Sequence, residues 1–208
     1  MERGERRGYD TSRPVGSFVE VVRGVIVEPA RFFGGLRDPR PGDVRGPLVF
    51  AIICAAISTP LAFFLQPYGP PVARQPDLAG GFFELFRNNP GGAVALAALA
   101  LVLLPLFAVL RVYVGAAIQH FFVFLFVRQR RGYWATFPVM AYGSALSLFS
   151  WIPLLGYLVA LYGVYVTTIA LREMHGTTTT RALLAALVPA LLGLLSLVPA
   201  LLNPPTGP

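Results

Sequence analysis

Five long apolar stretches, separated by polar segments, dominate the hydrophobic pattern of this chain. A helix of about 18 or more apolar residues can cross the ~30 Å hydrocarbon core of a bilayer. Such a helix also satisfies its own backbone hydrogen bonds, which lipid cannot do. The pattern therefore predicts an all-α, polytopic transmembrane bundle with five spans. The apolar stretches cover residues 47–65, 93–127, 132–151, 154–171 and 182–202.

The second stretch, 93–127, is long enough to raise the question of two spans. As a single helix it would extend about 52 Å at 1.5 Å per residue. A split would need a tight turn near 110–112, where the sequence has no Gly, Asn or Asp. We therefore expect one long helix that is kinked or begins near Pro105. A kinked helix and a broken helix both remain compatible with the sequence.

The polar segment before the first span predicts a short amphipathic helix over 18–27. Ser17 and Glu20 have the spacing of a capping box, and Pro29 disfavours helix at the residue before it. The helix is expected to lie in the membrane interface or to cap the bundle. A docking surface for a protein partner is the alternative. The apolar positions at helical spacing are Phe18, Val21, Val22, Val25 and Ile26.

Three other polar segments carry local predictions. Arg31, Phe32 and Phe33 form a basic-aromatic patch that suits a headgroup boundary. The 66–92 loop is expected to pack a short helix against the outer membrane face. In 172–180, Gly176 suits the C-terminal cap of one helix, and Thr180 suits the N-terminal cap of the next.

Composition and charge fix the class and an orientation. Hydrophobic residues make up 55% of the chain and charged residues 13%, with a mean hydropathy of +0.64, which excludes an ordinary soluble domain. Of the 17 basic residues, all arginine, nine fall in 1–45, three in 128–131 and two in 172–181. The opposite side holds only Arg74 and Arg87. The positive-inside rule then predicts a cytoplasmic N-terminus and an external C-terminus.

This charge distribution also bears on partners and domains. The net charge of +7 is concentrated beside spans, so anionic lipid headgroups are expected partners and nucleic acid is not. We divide the chain into a cytoplasmic segment, 1–45, a membrane domain, 46–202, and an external tail, 203–208. The first segment lacks the apolar core of a signal peptide and is expected to be retained. Arginine without lysine is typical of a GC-rich prokaryotic coding sequence, which suggests a prokaryotic cell membrane.

Few side chains within the apolar stretches carry chemistry. Arg111, Gln119 and His120 are the candidate polar intramembrane residues, either as a functional polar lining or as a snorkelling arginine beside a hydrogen-bonded histidine. No Asp or Glu occurs from residue 85 to 172, which argues against a proton-coupled or cation-coupled carrier. The single cysteine, Cys54, excludes an intrachain disulfide. We see no catalytic, cofactor or metal motif.

Small residues recur at helical spacing in three spans, which favours a tightly packed bundle. The oligomeric state stays open. The glycines that we assign to helix packing are Gly156, Gly163 and Gly193.

The order of several short motifs resembles the Yip domain family, membrane proteins related to Ypt/Rab-interacting proteins, in its bacterial branch. The resemblance covers about residues 22–188. It rests on EPARFF at 28–33, GPLVFA at 46–51, RGYWATF at 131–137, AYGS at 141–144, WIPLLG at 151–156, HGT at 175–177 and RAL at 181–183. The family-motif residues are Pro29, Phe33, Tyr142, Gly143, Pro153, Gly156 and Gly176.

The resemblance implies five spans, a cytoplasmic N-terminus and, in eukaryotic relatives, membrane trafficking with Rab GTPases. The acidic Asp-Leu-Tyr-Gly-Pro motif of those relatives is absent, and the similar stretch 67–70 falls on the predicted outer side, which argues against a Rab partner. We therefore expect a non-enzymatic scaffold or adaptor in membrane organisation. A small-solute or lipid permease, lined by Arg111, Gln119 and His120, is the alternative.

Overall fold

The fold is a helical bundle. The computed structural model describes residues 8–36, 43–65, 78–128, 131–152 and 155–195. Within these ranges every regular element is helical, which confirms the predicted class. The elements are α1 (Pro14–Val27), α2 (Pro29–Gly34), α3 (Arg45–Leu65), α4 (Leu78–Asn88), α5 (Pro90–Phe126), α6 (Tyr133–Gly143), a 3-10 turn (Ser144–Leu146), α7 (Ser147–Ser150), α8 (Leu155–His175) and α9 (Thr179–Leu195).

Three of the described helices are long and apolar enough to cross a membrane. These are α3, over 45–63, α5 and α8, whereas α9 is a shorter apolar helix. The chain is therefore a polytopic membrane protein, and the number of five spans stays a prediction. The predicted external tail, 203–208, and Pro153 lie outside the described residues.

Helix α1 begins one turn earlier than the sequence predicts. Pro14 occupies its first turn, where a missing N–H costs nothing, and Arg13 precedes it without a capping side chain. Ser17 lies inside the helix, and its Oγ accepts a hydrogen bond from the Asp10 N–H at 2.7 Å. The capping-box prediction is therefore wrong. The predicted C-terminal end, before Pro29, is confirmed.

The apolar face of α1 and the aromatic residues of α2 pack against the rest of the bundle. Val21, Val25, Phe32 and Phe33 are buried in one core cluster that also contains Phe50 of α3. The prediction that Phe32 and Phe33 form a patch at lipid headgroups is wrong, because these rings are covered by protein. Of the two positions proposed for the amphipathic helix, the structure shows it capping the bundle.

Helix α5 is continuous over 37 residues, with Pro105 inside it. This confirms one long helix rather than two spans joined by a tight turn. The Asn89 side chain caps its start by accepting a hydrogen bond from the Gly92 N–H at 3.0 Å. The short helix predicted within 66–92 is α4, which packs against α5.

The third apolar stretch tightens near its middle but stays helical from Tyr133 to Ser150. The hydroxyls of Ser144, Ser147 and Ser150 each donate to the carbonyl three residues earlier. Serine hydroxyls compete in this way with the helical hydrogen bonds, and the helix tightens to a 3-10 turn there. The stretch predicted as one span therefore consists of α6, the 3-10 turn and α7.

The core is concentrated at one end of the bundle. Residues of α8 from Val166 onward are mostly buried, whereas Leu158 and Leu161 near its start are exposed. Gly34 of α2 lies against Glu173 near the end of α8, so the N-terminal helices belong to the same end. Helix α8 stops at Gly176, whose φ of +62° confirms the predicted cap. Helix α9 starts at Thr179, so Thr180 lies inside it and its predicted capping role is wrong.

Candidate functional site

Both histidines of the chain meet through one threonine at the buried end of the bundle. The hydroxyl of Thr136, on α6, lies 2.9 Å from His120 Nδ1 on α5. The same hydroxyl lies 3.0 Å from His175 Nε2 at the end of α8. Thr136 and His175 are buried, and His120 is half-buried. The three side chains therefore connect three helices by polar contacts.

The chemistry of the hydroxyl couples the two rings. Thr136 has one proton to donate, so it donates to one imidazole nitrogen and accepts from the other. If the Thr136 hydroxyl donates to His120 Nδ1, then His175 Nε2 must carry a proton, and the reverse also holds. The tautomer of one histidine therefore determines that of the other. The main chain of Arg131 approaches the His175 ring, but Nδ1 makes no hydrogen bond of ordinary geometry within the described residues.

Two further hydrogen bonds extend this cluster. The amide of Gln119 donates from Nε2 to the carbonyl of Ala185 on α9, at 2.8 Å. The hydroxyl of Tyr133, at the start of α6, donates to the carbonyl of Tyr113 on α5, at 3.0 Å. Gln119 is buried, so this bond satisfies a donor that lipid would leave unpaired. Helix α5 is thus bonded directly to α6 and α9, and through Thr136 to α8.

Arg111 does not belong to this cluster. It lies nine residues before His120, about 13 Å along the helix at 1.5 Å per residue. Its side chain is exposed and has no partner in the described ranges. Of the three predicted polar residues, the structure places His120 in the histidine cluster, bonds Gln119 separately to α9 and places Arg111 apart. Thr136 and His175 were not predicted as members, because no local pattern links them to His120.

The cluster has the features of a structural contact between helices and not those of a reaction centre. No group of three or more His, Cys, Asp or Glu residues that could hold a metal occurs in the described part of the chain. Cys54 is fully buried on α3, as expected for an unreactive thiol, and is not among the residues bonded here. Hydrogen bonds to backbone carbonyls and to one threonine position helices, and the Thr136 hydroxyl, although within hydrogen-bond reach of two imidazoles, is fully buried.

A second polar feature lies between α1 and α2. An open groove of about 630 Å³ runs along α1 and α2. Arg13 lies 3.9 Å from Glu20, Arg31 lies 3.1 Å from Glu28, and Arg23 has no partner among the described residues. The charged lining is Asp10, Arg13, Glu20, Arg23, Glu28 and Arg31. We call this feature the N-terminal groove.

The N-terminal helices are held to the bundle by specific contacts. The hydroxyl of Tyr142, on α6, accepts a hydrogen bond from the Tyr9 N–H at 3.0 Å. The ring of Tyr142 contacts Phe32 edge-on, with centroids 5.2 Å apart. Tyr162 on α8 donates to the carbonyl of Ile26. These contacts position the groove relative to the membrane helices.

Comparison with protein families gives one match. The family model described as Yip1 domain matches residues 23–199, which is most of the chain. The chain belongs to the Yip1 domain family. This confirms the family predicted from the motifs. No curated protein and no solved structure matches the chain.

The Yip1 match includes the histidine cluster and the contacts of Tyr142. It starts inside α1, at residue 23, so Arg13 and Glu20 of the groove precede the matched residues. The cluster is therefore a feature of this chain's Yip1 domain. Part of the N-terminal groove is built from sequence outside it.

The Yip1 motif residues serve packing in several ways. Pro29 starts α2 and is buried, as is Phe33. A Cβ added to Gly156 would lie 2.6 Å from the Ser150 carbonyl, so α7 and α8 approach closely there. A Cβ added to Gly163 would make only an ordinary van der Waals contact with Leu146, and a Cβ added to Gly143 would lie in open space. Gly193 lies in α9, and its packing stays a prediction.

Proposed function

We propose that this Yip1 domain protein is a non-enzymatic membrane scaffold that holds a protein partner in its N-terminal groove. The observation that supports the proposal is which side of α1 and α2 is buried and which side is exposed. Their apolar side is buried against the bundle, and the surface that remains available to a partner combines the charged groove with the exposed side chains of Val15, Val19 and Val27 on α1. A charged, exposed surface on helices whose other side is buried in the core suits reversible recognition of a protein partner.

The charge of the groove favours a protein over a phosphate-rich partner. Its lining contains three arginines and three acidic residues, so their formal charges cancel. A polyanion would meet as much repulsion as attraction there. A protein surface can present both signs and pair with each, which also sets specificity.

The proposal includes an orientation of five spans with a cytoplasmic N-terminus. It is supported by the position of α2 against the end of α8, which is joined by a short connection to the first turn of α9 with its Arg181. Single cysteines at Thr178 and Asn88, both exposed, test it in a Cys54→Ala background. An impermeant maleimide added to intact cells is expected to label position 88 and not position 178. Equal labelling of both positions would contradict the orientation.

The partner is tested best by changing charges and not by removing the segment. Deletion of residues 1–45 would take Phe32 and Phe33 out of the core. The double variant Arg13→Glu/Arg23→Glu keeps those rings and reverses two exposed charges of the groove. Photo-crosslinking from position 20, which is exposed and lines the groove, would identify proteins bound in native membranes.

The matched control reverses two other exposed arginines, Arg128→Glu/Arg181→Glu. We expect a specific crosslinked protein in the native chain and in this control, and its loss in Arg13→Glu/Arg23→Glu. A crosslinking pattern that is unchanged by the groove variant would refute the scaffold proposal, provided that Cys54 stays protected from thiol reagents in all three proteins.

A further inference from the structure

We propose that a cavity between the C-terminal end of α5 and the N-terminal end of α9 binds the phosphate of an anionic phospholipid. The cavity has a volume of about 290 Å³. It is lined by five consecutive residues, Phe124 to Arg128, and by Arg181 from the first turn of α9. The inference rests on the proposed orientation only in that this end of the bundle faces the cytoplasmic leaflet.

The two arginines in the cavity have no acidic partner among the residues that the structure describes. Arg128 and Arg181 are exposed, and neither has a hydrogen-bond or ion-pair partner in the part of the chain that is described. Arg172 nearby differs, because its guanidinium lies 2.6 Å from Glu173. None of the described lining residues is acidic. Two free guanidinium groups favour a phosphate, whose oxygens match their planar donors.

The surface that continues from the cavity along the helices is apolar. On α5, Phe121, Phe124 and Leu125 are more than half exposed, and Leu183 and Leu184 are exposed on α9. A ligand bound at the arginines therefore has apolar surface beside it on both helices. Free phosphate would use only the charged part, whereas a phospholipid would use the charged and the apolar parts together.

The size of the cavity agrees with a lipid headgroup phosphate. Binding sites for small molecules usually have volumes of about 300–1,000 Å³, so this cavity, at about 290 Å³, lies just below the small end of that range. It suits a phosphate and its glycerol and leaves the acyl chains outside, along the helices.

The test uses the full-length protein and lipids that differ only in the headgroup. Native mass spectrometry in a neutral detergent would count bound phosphatidylglycerol and, as the zwitterionic comparison, phosphatidylethanolamine with the same acyl chains. The variant is Arg128→Gln/Arg181→Gln. The matched control, Arg87→Gln/Arg111→Gln, removes two exposed arginines that also have no partner within the described ranges.

We expect one phosphatidylglycerol to bind the native protein and the control in preference to phosphatidylethanolamine. In the cavity variant its affinity should fall roughly thirty-fold, as expected for the loss of two arginines at a membrane surface. An equal loss of affinity in the control would overturn the assignment of this site, because any exposed arginine would then be sufficient for lipid binding. Displacement by millimolar inorganic phosphate would also overturn it, since the ligand would then be the free anion.

This outcome is separate from that of the scaffold proposal. The cavity variant leaves Arg13 and Arg23 intact, so crosslinking of a protein partner through the N-terminal groove should persist when lipid binding is lost. Loss of both in the cavity variant, with Cys54 still protected, would contradict the separation of the two sites.

Discussion

Replacing Thr136 by valine would test whether the histidine cluster stabilises the bundle. Valine has nearly the same shape but no hydroxyl, so His120 Nδ1 and His175 Nε2 would both lose their partner. A buried polar group left unpaired costs about 1–3 kcal/mol, and measured hydrogen bonds between membrane helices average about 0.6 kcal/mol. Because His120 is half-buried and can reach water, we expect a total loss of about 2 kcal/mol.

The single cysteine provides the assay. Cys54 is fully buried in α3, so a thiol-reactive fluorophore reports its exposure when the bundle opens on heating. About 2 kcal/mol should lower the midpoint temperature by about 4–8 °C for a protein of this size. The control Thr136→Ser keeps the hydroxyl and loses one methyl group, so it should unfold closer to the native protein.

A double-mutant cycle makes the interpretation sharper. In a His175→Phe background, valine at position 136 should cost less than half of what it costs in the native chain, because one of its two partners is already gone. Equal midpoints for the valine and serine variants of Thr136, or additive effects with His175→Phe, would refute the reasoning. The cluster would then be a coincidence of packing.

Three further substitutions test individual contacts by the same assay. Gly176→Ala should destabilise by about 1 kcal/mol, because alanine is strained at positive φ, and Gly176→Asn should recover part of the loss. Gly156→Ala should cost about 1–3 kcal/mol through overlap with the backbone of α7, whereas Gly163→Ala should be nearly neutral, and similar costs for the two would contradict the geometry. Tyr142→Phe removes only the acceptor of the Tyr9 N–H, so faster amide hydrogen exchange near Tyr9 is expected with a loss of about 1 kcal/mol. Unchanged exchange there would show that the bond does not hold the segment.

The sequence predicts best those features that depend on neighbouring residues. The apolar stretches predict the helices, the missing turn residues near 110–112 predict a continuous α5, and Gly176 predicts the end of α8. Errors arise where one local signal competes with another. Ser17 and Glu20 have the spacing of a cap, but Pro14 starts the helix a turn earlier. Three serines at a spacing of three residues tighten the third stretch to a 3-10 turn, and their spacing is visible in the sequence.

The candidate sites are predicted less well, because their members are far apart in the chain. Thr136 and His175 are 39 residues apart, and Tyr9 and Tyr142 are 133 apart. Neither pair shares a local pattern. The sequence identifies Gln119 and His120 as unusual within an apolar helix, since polar groups in lipid are costly. It does not name the groups that satisfy them.

The sequence alone determines that this protein is a helical membrane protein of the Yip1 domain family, because length, apolarity and short motifs are properties of the chain itself. Only the tertiary structure decides how its polar groups are used. Burial against α3, α6 and α8 turns the aromatic residues of the N-terminal helices inward, and the approach of α6 and α8 to α5 pairs both histidines with Thr136. The physical reason is that a hydrogen bond or a buried ring depends on which distant surfaces meet, and helical periodicity specifies only the face that each helix offers.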